Sequence, residues 1–402
     1  MSDAATTMPA DETAEGSGLG PMLTFLFAVS CGALAANLYY AQPLVALMGA
    51  DLGLPIAVES AIVTLAQIGY AIGLVFLVPL GDLFENRRLI LVTMAANVVS
   101  LLGLAVAPGA AALFAMMLVV GTTSAAAQML VPLAANLAPE KQRGAVVGNV
   151  MSGLLGGILL ARPVSSFLAG IVGWRWVFGL SGALIAALAA ISLALLPRRV
   201  PAGQRGYGAL IRSLGQLFVT EPVLRRRGLY HAAMFGAFSL FWTAAPILLM
   251  RAPFNFTPSG VALFALAGVL GVFAAPVAGR LADRGYTRIG TTAALAMVVA
   301  AFAAALFGTH SLMALIVSAV MVDLGVQANL VFGQREIYGL APDIRNRLNA
   351  VYMTTFFIGG AIGSALASPV LEAFGWLGIC VIGMAMPAVA LFYFVVVDGK
   401  KG

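Results

Sequence analysis

The sequence predicts an all-α membrane protein: twelve transmembrane helices arranged as two parallel six-helix bundles related by a pseudo-twofold axis. Three observations predict this. First, only 9% of the 402 residues are charged and 61% are hydrophobic, with a mean hydropathy of +1.00. A water-covered domain needs about 25% charged residues, so lipid must be the main solvent. Second, apolar stretches of the ~20 residues that cross ~30 Å of hydrocarbon recur from Leu23 to Val397. Third, landmarks in one half return in the other at nearly constant offset.

The spans fall at about 23–48, 57–80, 89–107, 110–137, 145–171, 175–196, 228–251, 258–280, 288–308, 311–335, 347–371 and 376–397. Residues 1–20 hold four acids and no Lys or Arg, unlike the basic start of a signal peptide, and predict a disordered cytoplasmic tail. An N-terminal bundle then covers 21–196, a cytoplasmic linker 197–227 and a C-terminal bundle 228–398. Within the linker, Tyr207–Phe218 has the pattern of a short amphipathic helix.

Orientation follows from the basic residues. The loops at 81–88, 138–144, 197–227, 280–288 and 335–347, with the C-terminal tail, carry 19 of the 22 Lys and Arg. The positive-inside rule puts that side, and both termini, in the cytoplasm. The net charge of +6 is therefore a topological signal and does not point to nucleic acid. Cys31 and Cys380 both lie inside spans and predict no disulfide. There is no metal-ligand spacing and no nucleotide-binding loop, so neither cofactor nor ATP-driven pumping is expected.

The repeat is set by three landmarks. Asp82 and Asp283 end the second and eighth spans, 201 residues apart; Arg143 and Arg347 open the fifth and eleventh at 204; Trp174 and Trp376 lead the sixth and twelfth at 202. Both halves start on the same side, so they are parallel repeats about an axis along the membrane normal.

Charges inside the bilayer are functional hypotheses by default. Asp323 lies about 12 residues from the outer end of the tenth span, roughly 18 Å deep at 1.5 Å per residue. Arg162 lies about nine residues from the outer end of the fifth, roughly 14 Å deep. Their depths differ by less than one turn, so they are expected to interact across the interior. One reading is a static pair that fixes packing. The other makes Asp323 the carrier of a coupling proton and Arg162 the tuner of its proton affinity, since a nearby cation and desolvation act on a carboxylate in opposite directions. Polar stripes mark a cavity: Asp323, Gln327 and Gln334 on the tenth span; Ser30, Asn37 and Tyr40 on the first; His231, Phe235, Ser239 and Trp242 on the seventh; Ser124 and Gln128 on the fourth. His231 titrates near neutrality when unperturbed and is a second proton candidate. Gly153, Gly156, Gly157, Gly359, Gly360 and Gly363 allow close helix approach, either within one half or as surfaces on which the halves slide.

Several of these segments resemble the major facilitator superfamily. Gly279-Arg280-Leu281-Ala282-Asp283-Arg284, with Arg288, matches that family's G-x-L-a-D-R-x-x-x-R loop. The first-half copy keeps Asp82, Arg87 and Arg88, with Val78, Leu83 and Glu85 at altered positions. The Gly-rich fifth span is similar to that of bacterial twelve-helix drug:proton antiporters, with Ala161-Arg162-Pro163 near their Gly-Pro. Met117 stands where those proteins have an Arg in the fourth span, so no role passes to it. Asn37-Leu38-Tyr39-Tyr40-Ala41-Gln42-Pro43 resembles a branch of efflux permeases. The resemblance implies alternating access, with the first, fourth, seventh and tenth spans lining the path. Asp82, Arg87, Arg88, Asp283, Arg284 and Arg288 would form a cytoplasmic gate. It implies a monomer in the bacterial inner membrane, exporting a small amphipathic compound or drug against protons. Import of a small organic or anionic metabolite is the alternative, and a membrane-embedded enzyme a remote one; two isolated His without a metal motif do not favour an enzyme.

Overall fold

The computed structural model describes residues 20–200, 206–341 and 344–398; the tail expected at 1–20 lies almost wholly outside them. Among the described residues every regular element is helical. Ten segments are long and apolar enough to cross a bilayer. One, Arg345–Val396, contains two crossings, because Gly375 breaks the helix at φ 62° and ψ −162°. The chain reverses there: Ser368 packs at the end opposite the basic loops, yet Asp398 returns to Arg226 and Tyr230 at the start of the seventh span. Gly173, at φ 86°, makes the equivalent turn between Arg143–Val172 and Trp174–Leu195. These two positive-φ glycines explain why each Trp landmark follows a Gly: an L side chain disfavours that backbone region. The remaining crossing is the first. It runs as Pro21–Ala36, breaks at Gln42–Leu44 and ends as Val45–Asp51. The count is thus twelve.

Helix ends follow local chemistry. Pro222 opens the seventh span at the first helical position, where its missing N–H costs nothing. The helix therefore starts six residues before the apolar run and holds Arg225, Arg226 and Arg227 at its basic end. A helix at Tyr207–Thr220 lies between the halves in sequence, seating Leu210 and Leu214 against the protein. The second span is α-helical over Ala61–Ile72, then passes through a π turn at Gly73–Leu77 into a 3-10 turn at Val78–Asp82. The eighth is 3-10 over Leu266–Phe273.

Each half is locked by glycines. A Cβ on Gly153 would strike the carbonyl of Ala28, and one on Gly157 that of Gly32; in the second half Gly359 meets the carbonyl of Ala232, and Gly363 that of Gly236. The first span thus packs on the fifth as the seventh packs on the eleventh. Of the two alternatives this is packing within one half: these four glycines hold helices together inside a half. Gly360 lies between Gln67 of the other half and Phe235 of its own, and Gly156 has open space. The reason is geometric, since carbonyl-to-glycine contact leaves no room for sliding.

Between the halves the contacts are uneven. The second span packs on the eleventh and the fifth on the eighth, and the outer part of the first span touches the seventh. At the basic end the halves enclose a cavity of about 130 Å³, lined by Asp82, Asn86, Gln128 and Asn136 on one side and by Asn346 and Arg347 on the other.

Candidate functional site

The site is built from the seam inward. On the second span Ser60, Thr64 and Gln67 recur at helical spacing. On the eleventh, Ser364 and Ser368 do the same. They meet: Ser60 N donates to Ser368 Oγ at 3.0 Å, Ser368 N donates to Ser60 Oγ at 3.3 Å, and Thr64 Oγ1 and Ser364 Oγ share a bond at 3.0 Å. Gln67 Nε2 donates to Ser239 Oγ on the seventh span at 3.0 Å. Deeper still, the Tyr70 and Phe357 rings lie 4.3 Å apart, and Gln128 Nε2 donates to the Tyr70 hydroxyl at 3.0 Å. On the far side of the interface, Ser166 Oγ donates to the Pro258 carbonyl at 2.7 Å.

Between these two contacts sit the mid-membrane charges. Arg162 Nη2 donates to Asp323 Oδ1 at 3.2 Å, with side-chain exposures of 2% and 1%. Trp242 Nε1 donates to the other carboxylate oxygen at 2.7 Å. The guanidinium lies 4.0 Å from the Trp242 ring and 5.0 Å from that of Phe238, in cation–π range. Two glycines of the eighth span permit this: a Cβ on Gly271 would lie 2.7 Å from Asp323 Cβ, and one on Gly268 2.8 Å from the Trp242 ring. The phenol of Tyr39 is in electrostatic reach of both charges. A buried pair of this kind gains little net stability, but removing one partner is expensive.

The other candidates divide. Gln327 is half-buried four residues beyond Asp323. Gln334 Nε2 donates to Asn349 Oδ1 at 3.3 Å, nearer the basic end. Asn37 turns away from the seam: its Nδ2 donates to Asn97 Oδ1 at 3.0 Å, and Ser181 Oγ donates to its Oδ1 at 2.6 Å. Tyr40 sits beside the same Ser181. His231 is buried in the second half, its Nδ1 2.9 Å from Asn329 Nδ2, sandwiched between Tyr352 and Phe356. Asn329 lies six residues from Asp323, roughly 9 Å along the helix, so His231 forms a separate centre.

At the basic end Asp82 faces Arg347 of the other half. Asp283 lies 3.9 Å from Arg335 of its own half. Arg87 donates to the Leu193 carbonyl, while Arg88, Arg284 and Arg288 are exposed. Asp82 and Asp283 thus have different arginine neighbours, Arg347 and Arg335. Among the described residues no group of three or more His, Cys, Asp or Glu could hold a metal ion.

Missed from the sequence were Gln67, Tyr70, Tyr39 and the hydroxyl seam. The signal was present, since Ser60, Thr64 and Gln67 share a helical face. Short hydroxyls are common in spans, however, so the stripe carries weight only beside its partner.

The comparisons with known proteins agree with this architecture. The family model of the Major Facilitator Superfamily matches residues 24–326 and 228–402. "Uncharacterized transporter YgaY" of Escherichia coli O157:H7 is 40% identical over 376 residues, covering 93% of this chain and 95% of that one. A "Probable sugar efflux transporter" of Helicobacter pylori strain 26695 is 25% identical, covering 67% and 68%. The crystal structure of the nucleoside transporter NupG superposes with a TM-score of 0.75 at 14% identity, covering 92% of this chain and 98% of NupG, a likeness of fold. The chain is therefore a multi-pass membrane transporter and not an enzyme, and it belongs to the Major Facilitator Superfamily.

Proposed function

We propose that this transporter is a proton-coupled secondary active transporter working by alternating access, with Asp323 as proton carrier and Arg162 as its counter-charge. The observation that carries the reading is the placement of the pair: a titratable carboxylate, buried at mid-membrane, is held by a side chain of the opposite half. Protonation of Asp323 would break a bond between the halves, so the proton and the conformation are linked.

The two halves, 21–196 and 228–398, would rock about this seam, with the segment 197–227 as tether. In this reading the membrane is a bacterial inner membrane, and the charge of the basic loops supports placing them on its cytoplasmic side. The state described is then closed outside by the hydroxyl seam and parted inside at the 130 Å³ cavity. Asp82 and Arg347 would draw the inner ends together in the opposite state. Gln128, Trp242, Gln327 and Gln334 would face a substrate that enters from that cavity, and His231 would serve a separate proton site.

A neutral or cationic compound that competes with the proton at Asp323 would be exported by antiport, the direction supported by the H. pylori relative. Proton-driven import of an anionic metabolite is the second reading, favoured by guanidinium nitrogens of Arg162 that have no partner. The test is a thermal-shift ligand screen followed by flux in vesicles under an imposed pH gradient. The parent should couple flux to the gradient and Asp323→Asn should not; unchanged proton-driven flux in the variant removes Asp323 as carrier.

A further inference from the structure

The closed seam leaves hydrogen-bonding capacity unused around the Arg162–Asp323 pair. Arg162 Nε and Nη1 are buried without a partner. The side-chain amide of Gln42, wholly buried on the turn that packs against the fifth, seventh and eighth spans, uses neither of its atoms, and the Thr243 hydroxyl beside Trp242 is also unmet. Asp323, by contrast, has a donor on each oxygen. Around the pair the unused charged groups are thus cationic donors; an unused carboxylate oxygen, Glu59 Oε2, belongs to the residue next to Ser60 and has Arg251 as its neighbouring charge.

The covalent geometry of a guanidinium adds a constraint. Its two carboxylate-matching forks are Nε with Nη2 and Nη1 with Nη2. Both use Nη2, which is the nitrogen bound to Asp323. Nη2 has one N–H in each fork, so one fork stays open beside Asp323; a second carboxylate there would nevertheless leave an uncompensated negative charge buried in the seam, so the site takes an anion only once Asp323 is neutral. Protonation achieves this, and the new O–H then needs an acceptor that neither Arg162 nor the Trp242 indole can supply. The titratable and charged groups facing Asp323 are Arg162 from the fifth span and Tyr39 from the first; the seventh brings the Trp242 indole and the eighth only Gly268 and Gly271.

We infer that Arg162 holds the carboxylate of a singly charged organic anion, and that this anion seats only when Asp323 is protonated. One negative charge restores the neutrality that the proton removes. The protonated Asp323 can donate to the same carboxylate, and the Gln42 amide can bind a further polar group. The rings of Trp242, Phe238 and Phe241 offer the apolar remainder an aromatic wall. Proton and anion then load together and move in one direction. The inference rests on reading this seam as the transport site, and selects proton-driven import over antiport.

The experiment is thermal stabilisation of the full chain by monocarboxylates from acetate to naphthoate, each beside its neutral amide and matching amine. In the parent, a carboxylate should stabilise at mildly acid pH and not at mildly alkaline pH. Asp323→Asn, the neutral isostere, should bind that carboxylate at both, roughly tenfold or more tighter than the parent at alkaline pH, as expected for loss of one competing charge-assisted bond. Arg162→Gln should bind it at neither. Should Asp323→Asn fail to fold, the pH dependence of the parent alone decides. The inference is overturned if amines or amides stabilise better than carboxylates, if carboxylate binding ignores pH, or if no carboxylate binds. Gradient-driven flux of a neutral or cationic compound would overturn the anion class while leaving the proton-coupled transporter intact; pH-independent flux of a bound carboxylate would sink the proton-coupled reading instead.

Discussion

A double-mutant cycle at the mid-membrane pair gives the sharpest prediction. Arg162→Met leaves the Asp323 carboxylate at 1% exposure with a single remaining donor, the Trp242 indole. Asp323→Asn leaves the Arg162 charge buried against two rings. Breaking a buried pair from one side costs about 3–5 kcal/mol, so each single variant should lose that much. Removing both charges leaves no uncompensated ion, and a packed uncharged replacement is close to neutral. The double variant should therefore be more stable than either single, with a coupling energy of at least about 3 kcal/mol. Denaturation in detergent, followed by tryptophan fluorescence, reads this at the site itself, since Trp242 is one of four tryptophans and touches both charges. Strict additivity, with the double variant as damaged as the sum of the singles, would show that the pair does not act as a unit.

Two further outcomes follow from the same geometry. Gly271→Val should displace the eighth span from Asp323 and cost about 1–3 kcal/mol by overpacking, whereas Gly279→Ala, with nothing near its Cβ, should leave melting unchanged; equal melting of the two would contradict the packing. Oxidising a Ser60→Cys/Ser368→Cys variant should arrest flux in vesicles and reductant should restore it, while sustained flux after complete crosslinking would mean that the outer seam need not open.

What the sequence made legible was axial. Counting residues along a span gives depth to within a turn, and depth alone brought Arg162 and Asp323 to one level; the structure has them 3.2 Å apart. Azimuth was harder. The stripe of Ser30, Asn37 and Tyr40 identifies a shared helix face, yet periodicity does not say what that face meets. Asn37 meets Asn97 and Ser181 of its own half, because a buried amide between sister helices needs partners as much as one in a cavity does. The glycines left two alternatives open for the same reason. Small residues mark close approach, and both an internal contact and a moving one require it; Gly363 meets Gly236 of its own half, whereas Gly360, three residues away, meets Phe235 of its own half and Gln67 of the other. The 3-10 course of the eighth span had no sequence signal beyond Gly268 and Gly271, whose meaning depends on a side chain over fifty residues away.

The outer seam has an energetic scale that follows from its chemistry. It is closed by four hydrogen bonds between uncharged groups: two between Ser60 and Ser368, one between Thr64 and Ser364, and one from Gln67 to Ser239. Side-chain bonds inside membrane proteins average only about 0.6 kcal/mol each. Four of them would contribute a factor of roughly fifty in favour of the closed arrangement, at 1.36 kcal/mol per factor of ten, with the Arg162–Asp323 pair and the Ser166–Pro258 bond additional to it. A single binding event can reverse a ratio of that size. The latch is weak by composition, and a weak latch is what a carrier needs if it is to reset thousands of times on thermal energy alone.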